Sequence, residues 1–238
     1  RFFARVTSNG IEIHEGWDGE LVQTLAFPDA WDGDGLVRTL DSCHVMPDGR
    51  RVVAVSNEGV FLISRDGAQR VHPEPDPTDD EWTPEIDMGH AAVSPDGDLI
   101  CVGDQCSNHR VLSSKGEEVA SIGTASEYSH HAVFSHDGGA LALNSCHMYS
   151  GGTHLIPTSE VPGMGTEDFL GTTDLPEPIR AIDDGMRVYA SDVLPGMFLL
   201  GEAGGDVRAI REDGQLAWEH HVGSSLCDVA VSPGGDVM

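Results

Sequence analysis

A short turn motif recurs along the chain, each time directly after a stretch of small apolar and β-branched residues. Ser-Pro-Asp-Gly at residues 94–97 follows Ala-Ala-Val, and Ser-His-Asp-Gly at residues 135–138 follows Ala-Val-Phe. Related turns end at Gly49, Gly196 and Gly235, so the closing glycines are successively 48, 41, 58 and 39 residues apart. This period, with short strands between tight turns, is typical of the four-stranded blade of a β-propeller.

A second and a third turn follow the first one in each repeat. The third turn, seen at Gly67, Gly116 and Gly214, lies 18 or 19 residues after the first turn. Short strands separated by Asp-Gly and related turns are typical of antiparallel hairpins. The sequence therefore predicts an all-β fold, a β-propeller of four-stranded antiparallel blades, as a single domain over residues 1–238.

The two ends of the chain carry complementary parts of one repeat. Asn9-Gly10 and Asp18-Gly19 are second and third turns, and Pro233-Gly234-Gly235 is a first turn with almost nothing after it. We expect N-terminal outer strands and a C-terminal inner strand to close a fifth blade, which would remove exposed sheet edges. Five blades of about 48 residues agree with the 238 residues of the chain. The alternative is a fragment of a six- or seven-bladed propeller.

Three elements of the repeat carry a family resemblance. They are the inner strand and turn at residues 91–97, the Asp-Gly third turns, and Gln-Leu-Ala-Trp at residues 215–218. Together they resemble the repeats of the WD40, YVTN and PQQ-like propeller families over essentially the whole chain. The Trp-Asp dipeptide of good WD40 repeats does not recur in a regular series. Residues 104–154 are similar to parts of uncharacterised bacterial propeller proteins. The resemblance implies the fold and no particular function.

The charge of the chain excludes several classes of partner. It has 40 Asp and Glu residues against 13 Lys and Arg residues, a formal net charge of −27. A surface of this sign repels phosphate backbones and anionic membranes, so we expect no nucleic-acid partner. No apolar run approaches the roughly 20 residues of a spanning helix, so we expect no membrane insertion. We interpret the charge as a solvated acidic exterior.

Cysteine usage favours a reducing compartment. The five cysteines leave at least one thiol unpaired in a monomer, and neither Cys-x-x-Cys nor an Asn-x-Ser/Thr acceptor site occurs. The sequence begins without Met and shows no signal pattern, so its start carries no targeting information. We therefore expect a cytoplasmic location.

The connecting loops of a propeller are divided between its two faces. With strands lettered A to D from the centre, the A–B and C–D turns lie on one face and the B–C turns and D–A connections on the other. The A–B and C–D turns are short here, whereas the acidic D–A connection at about residues 71–89 and the B–C loop at residues 144–153 are long. Long loops on a regular scaffold tend to carry function.

The candidate ligand-binding residues on this face are His90, His130, His131, Asp228, Tyr149 and Trp82. Trp31, Tyr128 and Met148 are further candidate anchors, with ordinary packing between blades as the alternative.

Cysteines and histidines also gather on that face. Cys106 and His109 fall on one B–C loop, and Cys146 and His154 fall on or near the next. Thiolate and imidazole groups from neighbouring blades are suited to Zn or Cu, so these four residues form a candidate metal site. Only one Cys-x-x-His spacing supports it, and a packing role for each residue is the competing interpretation.

No familiar catalytic template is present. The chain has no G-x-S-x-G elbow, no P-loop and no G-x-G-x-x-G at a strand–helix junction, and its catalytic residues are unassigned. The sequence favours a non-enzymatic propeller platform that binds a protein or a small ligand on the face described above. The alternative is a metal-dependent enzyme with a His/Cys site for Cu or Zn at the channel mouth. A PQQ- or sugar-binding propeller rests on analogy of fold alone.

Overall fold

The strands form consecutive antiparallel sheets, each built from neighbouring segments of the chain. The computed structural model describes residues 2–16, 18–28, 31, 40–74, 85–148, 150–166, 175 and 177–232. Within them lie five sheets, three with four strands, one with three and one with five. This is a β-propeller of four-stranded blades, as the sequence predicts.

The five sheets are numbered as blades in chain order. Blade 1 comprises β1 (Phe2–Thr7), β2 (Gly10–Glu15) and β3 (Glu20–Leu25). Blade 2 comprises β4 (Leu40–Val45), β5 (Val52–Ser56), β6 (Gly59–Ser64) and β7 (Gly67–His72). Blade 3 comprises β8 (His90–Val93), β9 (Leu99–Gly103), β10 (His109–Ser113) and β11 (Glu118–Ile122).

Blades 4 and 5 follow the same plan. Blade 4 comprises β12 (Tyr128–Phe134), β13 (Ala140–His147), β14 (Ser150–Pro157) and β16 (Arg180–Asp184). Between β14 and β16 lie a 3-10 helix (Thr158–Glu160) and β15 (Gly165–Thr166). Blade 5 comprises β17 (Val188–Leu194), β18 (Met197–Glu202), β19 (Asp206–Arg211) and β20 (Leu216–His221). The described residues contain no helix that is long and apolar enough to cross a membrane.

The predicted first turns join the two innermost strands of blades 2 to 5. Gly49, Gly97, Gly138 and Gly196 close them with φ angles of 65°, 79°, 75° and 72°. Glycine adopts this left-handed backbone without the steric cost of a Cβ atom. The regular glycine spacing in the sequence therefore reflects a backbone requirement of each hairpin.

The hydrophobic core lies between neighbouring blades. The described residues contain four buried clusters, one for each successive pair of blades. Between blades 1 and 2, Ile11 and Ile13 belong to the same cluster as Val52 and Phe61. Trp31 is 4% exposed in this cluster and meets the ring of Phe61 edge-on at 5.3 Å between centroids. Of the two interpretations offered for Trp31, packing between blades is therefore the correct one.

The predicted expansion of a B–C loop at residues 144–153 is wrong. These residues form the end of a long hairpin, in which Asn144 pairs with Thr153 and Cys146 with Gly151. Asn144 is stable in the buried strand because its amide group donates to the carbonyl oxygens of Gly152 and Met186 at 3.1 and 3.0 Å. Tertiary partners of this kind cannot be recognised in a single sequence.

The expectation that all C–D turns are short is also wrong. In blade 4 the C–D connection spans residues 158–179 and sends β15 to the outer edge of blade 3. There Ser121 and Ile122 pair in parallel with Gly165 and Thr166. The added strand covers an edge that would otherwise present unpaired backbone groups.

The predicted closure by a C-terminal inner strand falls partly outside the described residues. Val229 is buried, and Val231 forms a single β-bridge and donates its N–H to Oδ2 of Asp192 at 2.7 Å. Residues 233–238, and residues 75–84 of the acidic D–A connection, lie outside the described part of the chain. Closure of the ring by this strand therefore stays a prediction.

We predict that Gly151→Ala destabilises the fold. A Cβ atom at residue 151 would lie 2.5 Å from the carbonyl oxygen of Ser145 and 2.6 Å from that of Met186. Relieving this overlap should cost about 1–3 kcal/mol of unfolding free energy, measured by urea denaturation. Gly165→Ala is the matched control, because no atom lies within 4 Å of its Cβ position, and it should change stability by less than about 0.5 kcal/mol. Equal effects of the two substitutions would contradict the prediction.

Candidate functional site

The inner strands of three blades carry a β-bulge near the same level. The pairing register shifts at Asp41 in β4, at His130 in β12 and at Tyr189 in β17. A bulge leaves one residue without a cross-strand partner and re-aims its side chain. The bulges therefore set the positions of His130 and Tyr189, one of which is a predicted site residue.

His130 and Tyr189 contact each other across the interface between blades 4 and 5. Their rings meet edge-on at 5.2 Å, and the Arg187 guanidinium lies 5.0 Å from the centre of the Tyr189 ring. Nε of Arg187 donates to Nε2 of His130 at 3.4 Å, which places the proton of the neutral imidazole on Nδ1. Burial, followed by the Arg187 charge, lowers the pKa of His130 to about 4. His130 is therefore neutral at physiological pH.

His90 and His109 form a pair of imidazole rings within blade 3. Nε2 of His90 lies 3.3 Å from Nδ1 of His109, and both rings are buried. Burial lowers the pKa of His109 to about 3 and that of His90 well below its ordinary value. Two neutral rings can share a hydrogen bond, because one nitrogen donates and the other accepts. Gly103 makes room for them, since a Cβ there would lie 2.7 Å from Cε1 of His90.

The remaining predicted ligand-binding residues are not part of one cluster. His131 is half-buried, and its Nε2 lies 2.7 Å from Oγ of Ser191 in the next blade. Asp228 is exposed, and its carboxylate accepts the N–H of Val229 at 2.8 Å. Tyr149 and Trp82 lie outside the described residues, so their predicted role as anchors stays a prediction.

The four predicted metal ligands lie in different surroundings. Cys106 is exposed in the B–C turn of blade 3, whereas Cys146 is buried at the end of β13, where burial raises its thiol pKa. His109 and His154 both line a small cavity. Nowhere in the described ranges are three or more His, Cys, Asp or Glu side chains arranged to hold a metal ion. The described residues thus contain no Zn or Cu site formed by these four.

A buried hydrogen bond between His72 and Asp104 connects blades 2 and 3. Nε2 of His72 donates to Oδ2 of Asp104 at 2.7 Å, and the side chains are 2% and 6% exposed. Arg110 fixes the tautomer, because its NH1 donates to Nδ1 of His72 at 3.3 Å. Burial alone would raise the pKa of Asp104, but the hydrogen bonds from His72 and the Cys106 N–H outweigh it, so the pKa lies below its ordinary value.

Two adjacent cavities lie between blades 3 and 4. The smaller, about 10 Å³, is lined by His109, Thr124 and Ser145 among others, and is close to the size of one water molecule. The larger has a volume of about 540 Å³. Both share Ala125 and His154 in their walls.

The larger cavity lies on the face that the sequence singled out. Its wall includes Ser126 in the D–A connection after β11, Ser150 and Gly152 at the start of β14, and Asp183 and Asp184 at the end of β16. Each of these segments reaches the face of the B–C turns and D–A connections. Among the predicted site residues that the structure describes, His154 alone lines this cavity.

Sequence reasoning missed the Asp104, Arg187 and Asp184 side chains. Asp104 follows the second strand of blade 3 and Asp184 ends the outer strand of blade 4, and acidic residues are too plentiful in this chain for either to stand out. Arg187 is one of 13 cations in an acidic sequence. The scarcity of cations was the only available signal, and it does not indicate which of them contacts an aromatic ring.

Comparisons with known proteins agree with the geometry. No protein-family model and no curated protein matches the chain. It is similar to the β-propeller domain of Cps50 (Swd1) from Myceliophteria thermophila, with a TM-score of 0.56 and 10% identity, over 83% of this chain and 60% of that one. It is also similar to hydrazine synthase from Kuenenia stuttgartiensis, with a TM-score of 0.53 and 14% identity, over 81% and 52%.

The fold is a β-propeller. At 10% and 14% identity these likenesses show the fold alone, and the chain spans between half and two thirds of the length of either structure.

We predict that Asp104→Asn destabilises the protein at neutral pH. An amide can present an oxygen to His72 or to the Cys106 N–H, but not to both, so one buried donor loses its acceptor. The expected loss of unfolding free energy is about 1.5–3 kcal/mol, measured by urea denaturation. Asp98→Asn, at an exposed position of the blade 3 turn, is the control and should cost less than about 0.5 kcal/mol. A loss no greater than that of the control would show that the pair contributes little.

We predict that stability falls as the pH drops below about 6.5. Histidines in the unfolded chain titrate near that value, whereas His109 and His130 have pKa values of about 3 and about 4 in the folded protein. The unfolded state therefore binds more protons below about pH 6.5, and stability is lost as the pH falls from there through the folded values. Each histidine contributes up to about 1.4 kcal/mol per pH unit.

Two variants distinguish the contribution of His109 to the pH dependence of stability from that of other titrating groups. His109→Gln should reduce the slope of unfolding free energy between about pH 6 and pH 5 by about 1 kcal/mol per pH unit. His136→Gln, in an exposed turn, should leave the slope unchanged. The same slope in both variants would mean that other groups control the acid response.

Proposed function

We propose that the protein is a non-enzymatic β-propeller platform that binds a small ligand or a protein on the face formed by its B–C turns and D–A connections. The observation that supports this is the cavity of about 540 Å³ on that face. Ligand sites in proteins commonly enclose about 300–1,000 Å³. We also propose that the repeats are of the WD40, YVTN or PQQ-like type, and that neither a nucleic acid nor a membrane is a partner.

The wall of the cavity is held in place by buried hydrogen bonds. Asn144 donates to the carbonyl oxygen of Gly152 at 3.1 Å and to that of Met186 at 3.0 Å, and its Oδ1 accepts the N–H of Val188 at 3.2 Å. One buried amide thus connects two strands of blade 4 to the first strand of blade 5. A wall built on such strands is preorganised, which lowers the entropic cost of binding.

The contacts of the histidines favour binding over catalysis. His72 is bonded to Asp104, His90 is paired with His109, and His130 packs on Tyr189. An acid–base catalyst works best with a pKa near the operating pH, and burial moves the pKa of His90, His109 and His130 well below that range. The contacts of His72 and His130 are suited to joining blades, and that between His90 and His109 is suited to packing within blade 3.

We propose a cytoplasmic location, which the state of the cysteines supports. All five cysteines are free thiols: Cys43, Cys101, Cys106, Cys146 and Cys227. Free thiols are typical of reducing compartments.

We predict that filling the cavity abolishes ligand binding. Ser150 lies in the cavity wall and is exposed, so Ser150→Trp should occupy the cavity without disturbing the core. Wild-type protein is compared with this variant in thermal-shift measurements against matched small molecules of cationic, neutral and anionic charge. At least one class should raise the melting temperature of the wild type and not that of Ser150→Trp.

The control for the added indole is Ser8→Trp, in an exposed turn of blade 1. It should keep the wild-type response to every compound. The proposal fails if no compound stabilises the wild type, or if Ser150→Trp responds as the wild type does.

A further inference from the structure

We propose that Arg187 is the anchor of a binding site for a small organic molecule with a single carboxylate group. Arg187 lies in the D–A connection between β16 and β17, on the face that the proposed function assigns to ligand binding. The inference rests on that function for the choice of face, and it adds the charged group by which a ligand is held. It is carried by the contacts of the Arg187 guanidinium and by a buried donor beside it that has no acceptor.

Arg187 differs from other half-buried arginines of the chain in having no carboxylate partner. Arg51, Arg110 and Arg208 lie between 2.6 and 3.0 Å from the carboxylate oxygens with which they pair. Within the described part of the chain, no Asp or Glu oxygen lies within ion-pair distance of Arg187. In a chain with 40 acidic residues, the charge of this one guanidinium is left uncompensated.

Neutral groups hold the Arg187 guanidinium in place instead. Its Nε donates to Nε2 of His130 at 3.4 Å, and its NH1 donates to the carbonyl oxygen of Met148. Its central carbon lies 5.0 Å from the centre of the Tyr189 ring. These three contacts orient the side chain without cancelling its charge. A cation that is already oriented loses little conformational entropy when a ligand binds, which favours binding.

The cluster around Arg187 contains donors that lack acceptors. The guanidinium has more N–H donors than the two that the described contacts use. His130 is 4% exposed, and its Nδ1, which carries the proton, has no hydrogen-bond partner among the described residues. A buried N–H without an acceptor is unfavourable. An acceptor oxygen bound in this cluster would therefore stabilise it.

A single carboxylate complements these donors better than other anions do. Its two oxygens can accept parallel N–H bonds from one guanidinium, and such charge-assisted bonds are stronger than neutral ones. The net charge of −27 repels a dianion, such as a phosphate ester, more strongly than a monoanion. One uncompensated guanidinium neutralises one negative charge. A monocarboxylate is therefore favoured over a phosphate ester or an acidic peptide.

Met148 adds apolar surface beside the guanidinium. Its carbonyl oxygen accepts from Arg187, its φ angle is 51°, and the residue is 64% exposed. A flexible, polarisable thioether adapts to apolar groups of different shapes. The cluster thus favours an acid with a hydrocarbon body.

The site adjoins the 540 Å³ cavity and is distinct from it. Ser150 and Gly185 line the cavity, and Met148 and Arg187 stand two residues away from them along the chain. Arg187 itself is not part of the cavity wall. Variants at Arg187 and at Ser150 can therefore test the two sites separately.

The test uses two matched series of probes in ligand-observed NMR titrations at neutral pH. Benzoate, benzamide and benzamidine share an aromatic ring, and pentanoate, pentanamide and pentylamine share an unbranched carbon chain. Within each series the head group is anionic, neutral or cationic. We expect the carboxylate of at least one series to bind the wild-type protein at least about tenfold more tightly than its amide.

Arg187→Gln removes the charge that the inference depends on. It should weaken carboxylate binding at least about tenfold. Arg65→Gln removes the same charge from an exposed turn of blade 2 and should change binding less than about twofold. Urea denaturation of both variants shows whether the fold is kept.

Met148→Glu tests the site without removing Arg187. The residue is exposed, so the fold should be kept, and the new carboxylate beside the guanidinium competes with that of the ligand. Met148→Gln is the matched control, because it has the same length and no charge. Carboxylate binding should be at least about fivefold weaker in Met148→Glu than in Met148→Gln.

The outcomes distinguish this inference from the function on which it rests. Equal affinities in Met148→Glu and Met148→Gln, or a folded Arg187→Gln variant that binds as the wild type does, would overturn the Arg187 site. If a probe binds in a manner that Ser150→Trp abolishes and that neither Arg187→Gln nor Met148→Glu affects, the platform stands and the Arg187 anchor is wrong. If neither carboxylate binds more tightly than its amide, the ligand class is wrong, and the thermal-shift comparison with Ser150→Trp decides the platform by itself.

Discussion

The buried contact between His72 and Asp104 is the polar interaction on which the arrangement of three blades depends. His72 ends the outer strand of blade 2, Asp104 begins the B–C turn of blade 3, and the Asp104 carbonyl oxygen accepts the hydroxyl of Ser129 in blade 4 at 3.1 Å. Backbone hydrogen bonds of a propeller stay mostly within each sheet, so side chains must orient one blade against the next. A buried, fully bonded polar group specifies a single orientation because any other leaves it unsatisfied.

Apolar packing supplies most of the stabilisation between blades, and the polar contacts select its geometry. The cluster between blades 3 and 4 includes Cys101, Val111, Leu141 and Ile156. Aliphatic surfaces of this kind tolerate several packing angles at similar cost, whereas hydrogen bonds at Asp104 and Asn144 do not. The cavity wall is formed by segments of both blades, so its shape depends on that angle.

The repeat and the inner hairpins could be predicted because turn chemistry is local. A glycine with positive φ, such as Gly97 or Gly138, marks a turn wherever it stands. The bulges at His130 and Tyr189 could not be predicted, since a shift of register depends on the neighbouring strand. The same limit explains why a loop was wrongly predicted at residues 144–153. The buried amide group of Asn144 donates to the carbonyl oxygen of Met186, which is 42 residues away in the sequence.

The acidic chain uses some of its few cations in ion pairs between strands, so its acidity is more than a solvated exterior. Arg110 pairs with Glu74 and Glu118, and Arg208 bridges Asp183 and Glu219, so these guanidinium groups connect strands of the blades. In a chain with 13 cations, each one held in such a bridge is withdrawn from the surface around it. In this way the guanidinium that neutralises Asp183 in the cavity wall also holds the outer strand of blade 4 to the outer strands of blade 5.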